Sequence, residues 1–350
     1  GEEGKFFVWT PAEIRDLLGQ EAEAFMAAYG VTERGNFEGQ NILEYVGHMN
    51  QRTELAEARR KLFAAREQRV RPERDGKALT SWNGLMLAAF AEAARVLNRD
   101  DYQQVAEHNA DFLLRELRRE DGRLYRTWKA GEAKINGYLE DYAHLVVGLL
   151  ELYQTTFEPR WYLAARELAE VMIEHFSAPD GGFFDTSDDH ETLITRPREL
   201  QDNAVPSGNA MAALVLLRLV GLAVEPRYAE VARRSLIQVQ PMLTQYPLGF
   251  GQWLIALDYA LAHPREIAIV GDPEAADTRA LLDVCNVGYR PHQILALGAP
   301  DAETSAVPLL QNRNQIEGRA TAYVCVDFAC RSPVTDPKTL RALLEEHSRG

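Results

Sequence analysis

At 350 residues, with 46% hydrophobic and 26% charged side chains, the chain can build a full globular core, which excludes wholesale disorder. Its 52 acidic and 38 basic residues leave a net charge of −14, which repels phosphate backbones and anionic lipid and argues against nucleic-acid and membrane partners. No apolar run reaches the ~18 residues that cross a bilayer, the first residues show no signal-peptide pattern, and three cysteines (Cys285, Cys325 and Cys330) fit a reducing compartment, so the expected location is cytoplasmic.

In chain order, Lys5 to Thr10 reads as a strand, and Thr10-Pro11-Ala12-Glu13 as a helix cap with proline at the first helical position. A chain that begins inside an element is expected to be a fragment or a processed form. Residues 30–76 are mixed, and Arg59 to Arg74 reads as a solvated helix with its connection. From about Thr80 two kinds of helix alternate. Gly84–Ala91, Tyr142–Tyr153, Pro206–Leu222 and Gly249–Ala262 are apolar nearly all round; Asp101–Glu120, Trp161–Phe176 and Arg227–Leu243 carry one apolar stripe. All-round apolarity marks an inner helix and a single stripe an outer one.

Inner-to-outer connections are short, at Asn98–Asp100, Glu158–Arg160 and Ala223–Pro226. Outer-to-inner connections are long and predict hairpins, Gly122–Trp128 turning at Lys129–Gly131, and Gly181–Thr186 turning through His190 to return at Leu193–Leu200. The long loops therefore share one face, at the N-terminal ends of the inner helices. The fold class is mainly α: an α/α toroid of helical hairpins with β-hairpin loops. About seven helices are legible where a six-hairpin ring needs twelve, which predicts that the N-terminal part of the ring is missing. After Pro264 the pattern becomes α/β, with strands at Glu266–Gly271, His292–Leu297 and Ala322–Phe328 and helices at Glu274–Val284 and Lys338–Glu346. The expected domains are a toroid over 1–263 and a small α/β subdomain over 264–350.

Four clusters at inner-helix starts carry possible chemistry. Trp82 and Asn83 offer a stacking face beside a fixed amide, which suits a sugar ring, although Thr80 or Ser81 there also caps a helix. In Tyr138-Leu139-Glu140-Asp141, adjacent side chains point about 100° apart, so at most one carboxylate faces the ring axis. Asp141 is the first general acid/base candidate and Glu140 the second; His144, one turn deeper, reads as a satisfied core histidine. On this reading Asp141→Asn costs only about 0.3–1 kcal/mol of stability. In Asp202-Asn203-Ala204-Val205-Pro206-Ser207-Gly208-Asn209, Asp202 is the possible partner carboxylate, with Asn203, Ser207 and Asn209 as orienting groups. Trp253, with Trp82 and Trp128, falls at an inner-helix start and reads as a second stacking platform. Cys325 and Cys330 read as two buried thiols on a strand, and no spacing suggests a metal or other cofactor site.

Thr80-Ser81-Trp82-Asn83-Gly84-Leu85, Tyr138-Leu139-Glu140-Asp141-Tyr142-Ala143 and Asn203-Ala204-Val205-Pro206-Ser207-Gly208-Asn209 resemble the bacterial thioredoxin-domain proteins related to spermatogenesis-associated protein 20. The opening Glu2 to Pro11 and the closing Cys325 to Pro333 resemble the same family, so the match runs nearly end to end. The resemblance implies a six-hairpin toroid similar to N-acylglucosamine 2-epimerases and related glycoside-processing enzymes, preceded in the full-length protein by a thioredoxin-like domain. No histidine of this sequence matches the epimerases' catalytic histidines by motif. The expected function is sugar or glycan chemistry, epimerase- or glycosidase-like, by Asp141, Glu140 and Asp202, with Trp82, Asn83, Tyr138, Asn203, Ser207, Asn209 and Trp253 binding substrate. The alternative is a non-catalytic scaffold or client-binding module serving a thioredoxin-like domain in redox quality control.

Overall fold

The computed structural model describes residues 4–190, 194–300 and 305–345, which fall into two compact units, residues 1–76 and 77–350. The first unit holds helices α1 (Pro11–Leu18), α2 (Ala22–Ala28), α3 (Met49–Glu54) and α4 (Ala56–Arg66) around Trp9, Ile14, Phe25 and Leu62. The capping box at α1 forms, with Thr10 and Glu13 bonding each other's backbone N–H groups. The expected opening strand does not: residues 4–7 turn, with Phe7 N–H bonded to Gly4 O, and Trp9 alone bridges to Asn41.

The second unit begins with strand β1 (Ala78–Leu79) and continues through α5 (Thr80–Leu97), α6 (Asp100–Glu116), β2 (Tyr125–Lys129), β3 (Glu132–Asn136), α7 (Leu139–Thr156), α8 (Pro159–Phe176), α9 (Gly208–Ala223), α10 (Pro226–Gln245) and α11 (Gly251–Leu261). Among the described residues α5 to α11 are the seven helices that the pattern predicts. Helices α7 and α9 are buried on every side, whereas α6, α8 and α10 bury one stripe. Helices α5 and α11 differ from the all-round reading: each buries one face and leaves apolar residues exposed on another, Met86 and Leu97 on α5 and Ile255 and Leu261 on α11.

Each inner-to-outer turn uses one device. Asn98, Phe157 and Val224 take left-handed φ values of 52°, 57° and 52° after the last helical residue, and one extended residue then caps the next helix. A left-handed residue turns the chain within a single position, which is why these loops need no length. Inner helices α5 and α7 approach backbone to backbone. A Cβ at Gly84 would lie 2.5 Å from His144 O, and one at Gly148 2.6 Å from Gly84 O. At their far ends a largely buried ion triad spans three inner helices: Glu151 of α7 pairs with Arg95 of α5 at 3.0 Å and with Arg218 of α9 at 2.5 Å.

The first long connection forms its hairpin, with β2 antiparallel to β3 and β1 added at its edge. Among the described residues the second does not form strands. It holds the bridge Ser177–Phe183 and bonds from Phe184 N–H to Phe176 O and from Asp185 N–H to Pro197 O, and Leu193 of the expected return lies outside the described residues. From Arg265 the same unit carries β4 (Arg265–Val270), α12 (Ala276–Asn286), β5 (Gln293–Gly298), β6 (Thr321–Val326), β7 (Ala329–Cys330) and α13 (Pro337–Glu345). The sheet runs β5-β4-β6-β7, with β4 and β5 parallel and the other pairs antiparallel. Ile267 and Ile269 face α12 and α13, while Ala268, Ile294 and Ala296 join the core of the helical hairpins. Cys325 and Cys330 are a disulfide, not two free thiols. The β6–β7 hairpin is tight enough to set the two residues directly opposite each other, which their spacing alone does not reveal.

Candidate functional site

The N-terminal ends of the inner helices meet as the loop lengths require, and two carboxylates fasten them. Asp141, at the third position of α7, is fully buried. It accepts from Tyr138 N–H at 2.9 Å in its own helix cap and from Ser81 N–H at 3.0 Å in the first turn of α5. Arg126 Nη1 donates to it at 3.2 Å. Burial pushes its pKa up to about 6, against the pull of Arg126. Asp202 repeats the device between α9 and α11, accepting from Ser207 N–H at the cap of α9 and from Gln252 N–H in the first turn of α11, both at 2.8 Å. Carboxylates suit this work because a helix start presents unpaired N–H donors and the positive end of its dipole.

Several other expected site residues are occupied by packing. Asn83 bonds Leu79 O and Asn109, and Asn209 is buried and accepts from Phe183 N–H at 2.9 Å. Trp253 is buried with its indole N–H on Leu200 O at 2.8 Å, and Trp128 packs edge-on against Phe112. His144 lies wholly in the core, where burial lowers its pKa.

The remaining residues surround a cavity of about 380 Å³ lined by Trp82, Tyr138, Glu140, Asn203 and Ser207 together with Asp185, Glu199 and Gln201. Trp82, one of the lining residues, is 61% exposed. Glu140, not Asp141, is the α7 carboxylate in the lining, as the angle between adjacent helical side chains requires once Asp141 turns toward α5. Glu140 pairs with Arg126 at 2.7 Å, and the Arg126 guanidinium lies 4.5 Å from the centre of the Tyr138 ring. Asp185 accepts from Glu199 N–H at 2.8 Å, and its carbonyl accepts from Leu139 N–H, which holds this loop against the start of α7. Burial, reinforced by the charges of Glu199 and Glu140, raises the Asp185 carboxyl to about 6. A carboxyl that titrates near neutrality beside other carboxylates in a cavity is suited to giving or taking a proton. Among the described residues, no three His, Cys, Asp or Glu side chains are grouped to hold a metal ion.

Asp185, Glu199 and Arg126 escape the sequence reading. All three lie in the long outer-to-inner connections, which the pattern flags as functional, but whose path through space decides which side chains reach the cavity.

The Asp185 shift has a thermodynamic signature. Its folded pKa of about 6 lies above the ordinary 3.8, so the folded state holds the proton more tightly. That contribution is full below about pH 4 and is lost as pH rises through about 6. Asp185→Asn removes the titration, so the variant's stability relative to wild type should rise by about 2 kcal/mol between pH 4 and pH 7, allowing for partial solvent screening. Urea unfolding at the two pH values checks this; an unchanged difference would show that the carboxyl is not perturbed.

No family model matches the chain. It is 33% identical to spermatogenesis-associated protein 20 of Rattus norvegicus and 32% identical to that of Homo sapiens, over 99% and 98% of its own length and 50% of each relative. The chain thus spans about half the length of the curated relatives it matches. Among solved structures, a cellobiose 2-epimerase from Bacillus thermoamylovorans B4167 is 16% identical with a TM-score of 0.40, covering 47% of this chain and 45% of that one. A sugar epimerase from a ruminal bacterium is 14% identical with a TM-score of 0.41, covering 66% of this chain and 54% of that one.

Proposed function

The chain belongs to the spermatogenesis-associated protein 20 family, and we propose that its cavity at the inner-helix starts takes a sugar, with Glu140 and Asp185 as the acid/base pair. The observation that carries this reading is the convergence of Glu140, Asp185 and Glu199 on one cavity with the exposed Trp82. A pyranose ring presents an apolar face of C–H groups and a rim of hydroxyls. Trp82 supplies the surface to stack on, and the carboxylates, Asn203 and Gln201 supply acceptors and donors for the rim. Asp185, protonated for part of the time near neutral pH, acts as the acid. Glu140, fixed by Arg126, receives or directs the proton on the other side of the reacting carbon or oxygen. Asp141 and Asp202 hold the helices that set this geometry. Both reactions use such a pair: epimerisation breaks and remakes a C–H bond beside the open-chain sugar's carbonyl, and glycosidic cleavage breaks the C–O bond at the anomeric carbon.

A panel of mono- and disaccharides screened by thermal shift tests the reading, because a ligand that binds the folded state raises its melting temperature. At least one sugar should stabilise the wild-type chain, and Trp82→Ala should weaken its binding about tenfold, the scale of a lost aromatic contact. A panel without any shift, or a shift that survives Trp82→Ala at full affinity, would overturn it. The stabilising sugar is then the substrate for turnover assays.

A further inference from the structure

The Cys325–Cys330 disulfide lies outside the sugar cavity, and its surroundings are unlike those of a structural staple. Strands β6 and β7 are joined by Asp327 and Phe328, whose φ values of 50° and 63° form a two-residue hairpin loop. Val326 pairs with Ala329 and Cys325 with Cys330. The cross-link therefore closes a short loop that strand pairing closes already, where a disulfide restrains the unfolded chain least. The two sulfurs are also unequal: Cys325 is 1% exposed, whereas Cys330 is exposed on β7 at the edge of the sheet.

A cation is fixed over the bond. Arg313 Nη2 lies 3.4 Å from Cys325 Sγ and 3.3 Å from Cys330 Sγ, while its Nη1 is anchored on the carbonyls of Leu309 and Gln311. Cys325 also stands in register with Glu266 of β4, a buried carboxyl with one oxygen lacking a hydrogen-bond partner among the described residues. At the hairpin loop Asp327 pairs with His263 at 2.8 Å.

We propose that Cys325–Cys330 is a thiol–disulfide exchange site: an external dithiol opens it at Cys330, Cys325 is the leaving sulfur, and Arg313 holds the negative charge that develops there. One thiol of the dithiol loses its proton to solvent, and its thiolate attacks Cys330 Sγ. A mixed disulfide forms, the Cys325–Cys330 bond breaks, and its electron pair leaves on Cys325 Sγ beside the Arg313 guanidinium. The second thiol of the co-reactant, deprotonated in turn, displaces Cys330 as a thiolate. The co-reactant is oxidised to a disulfide, the pair gains two electrons, and the two protons pass through solvent to the cysteine sulfurs according to pH. Run in reverse, the reduced pair reduces a partner's disulfide. Attack falls on the accessible sulfur, and a neighbouring cation makes the other a better leaving group.

The test uses the folded chain and dithiothreitol as the dithiol. Dithiothreitol at defined reduced-to-oxidised ratios, followed by alkylation and mass measurement, should show reversible opening without loss of the cooperative melting transition. Two alkyl groups should be added and none at Cys285, a buried thiol pushed up to about 12. In the reduced chain, alkylation against pH should reveal one cysteine with an apparent pKa at least about one unit below the ordinary 8.5. Arg313→Gln should move it back and slow alkylation at pH 7 about tenfold, whereas Arg313→Lys retains most of the effect. A bond that opens only when the chain unfolds, or a pair that stays as two thiols in the oxidised buffer, would overturn the proposal. So would an alkylation pKa indifferent to Arg313→Gln. The wild-type reduction decides by itself if Arg313→Gln fails to fold.

Discussion

Asp141→Ala and Glu140→Gln, at adjacent positions, are expected to fail in opposite ways. Asp141→Ala removes the shared acceptor of Ser81 N–H, Tyr138 N–H and Arg126 from a fully buried point between α5 and α7. Each unpaired donor carries its own desolvation penalty, and the charge of Arg126 loses a partner, so the fold should lose about 3–5 kcal/mol. Glu140 is partly exposed and its ion pair with Arg126 is screened by water, so Glu140→Gln should cost the fold about 1 kcal/mol or less. On the proposed chemistry, the same change should cut turnover of the stabilising sugar roughly 10²–10⁴-fold. Urea unfolding and turnover on both variants separate the roles. An Asp141→Ala chain within about 1 kcal/mol of wild type, or a Glu140→Gln chain with full turnover, would reverse the assignment.

Glu151→Ala should be of similar size, at the other end of the same helices. Burial pushes the Glu151 carboxyl up, but Arg218 and Arg95 together outweigh it and hold the group below its ordinary range. Removing the carboxylate leaves Arg218 buried without its counter-charge between α7 and α9. Breaking a buried ion pair from one side typically costs about 3–5 kcal/mol, which is the loss expected in chemical denaturation. The double variant Glu151→Leu/Arg218→Leu should recover much of it, because replacing both partners leaves less buried charge unpaired. If Glu151→Ala alone melts like wild type, water reaches the triad and the ends of these helices are less closed than their burial indicates.

The sequence determined helices α5 to α11 and the face that carries the long loops, although α5 and α11 bury only one face. These follow from local quantities: how often an apolar side chain recurs, which residue caps a turn, and where a left-handed position such as Asn98 lets the chain reverse. It ranked Asp141 over Glu140, whereas the structure buries Asp141 and sets Glu140 in the cavity lining. The tertiary structure decided these placements, because Gly84 and Gly148 let α5 approach α7 closely, and the nearby N–H of Ser81 then takes up the Asp141 carboxylate. The same holds for Asp202, which the neighbouring start of α11 occupies, and for Trp253, whose indole N–H is spent on Leu200. Asp185 came into view only when its loop was seen to fold against the start of α7, and the cysteines paired only once a hairpin placed them face to face. Side-chain periodicity is written into neighbours along the chain, but the partner of a polar group is chosen by whatever donor lies nearest in space, and that donor is set by packing between elements distant in sequence.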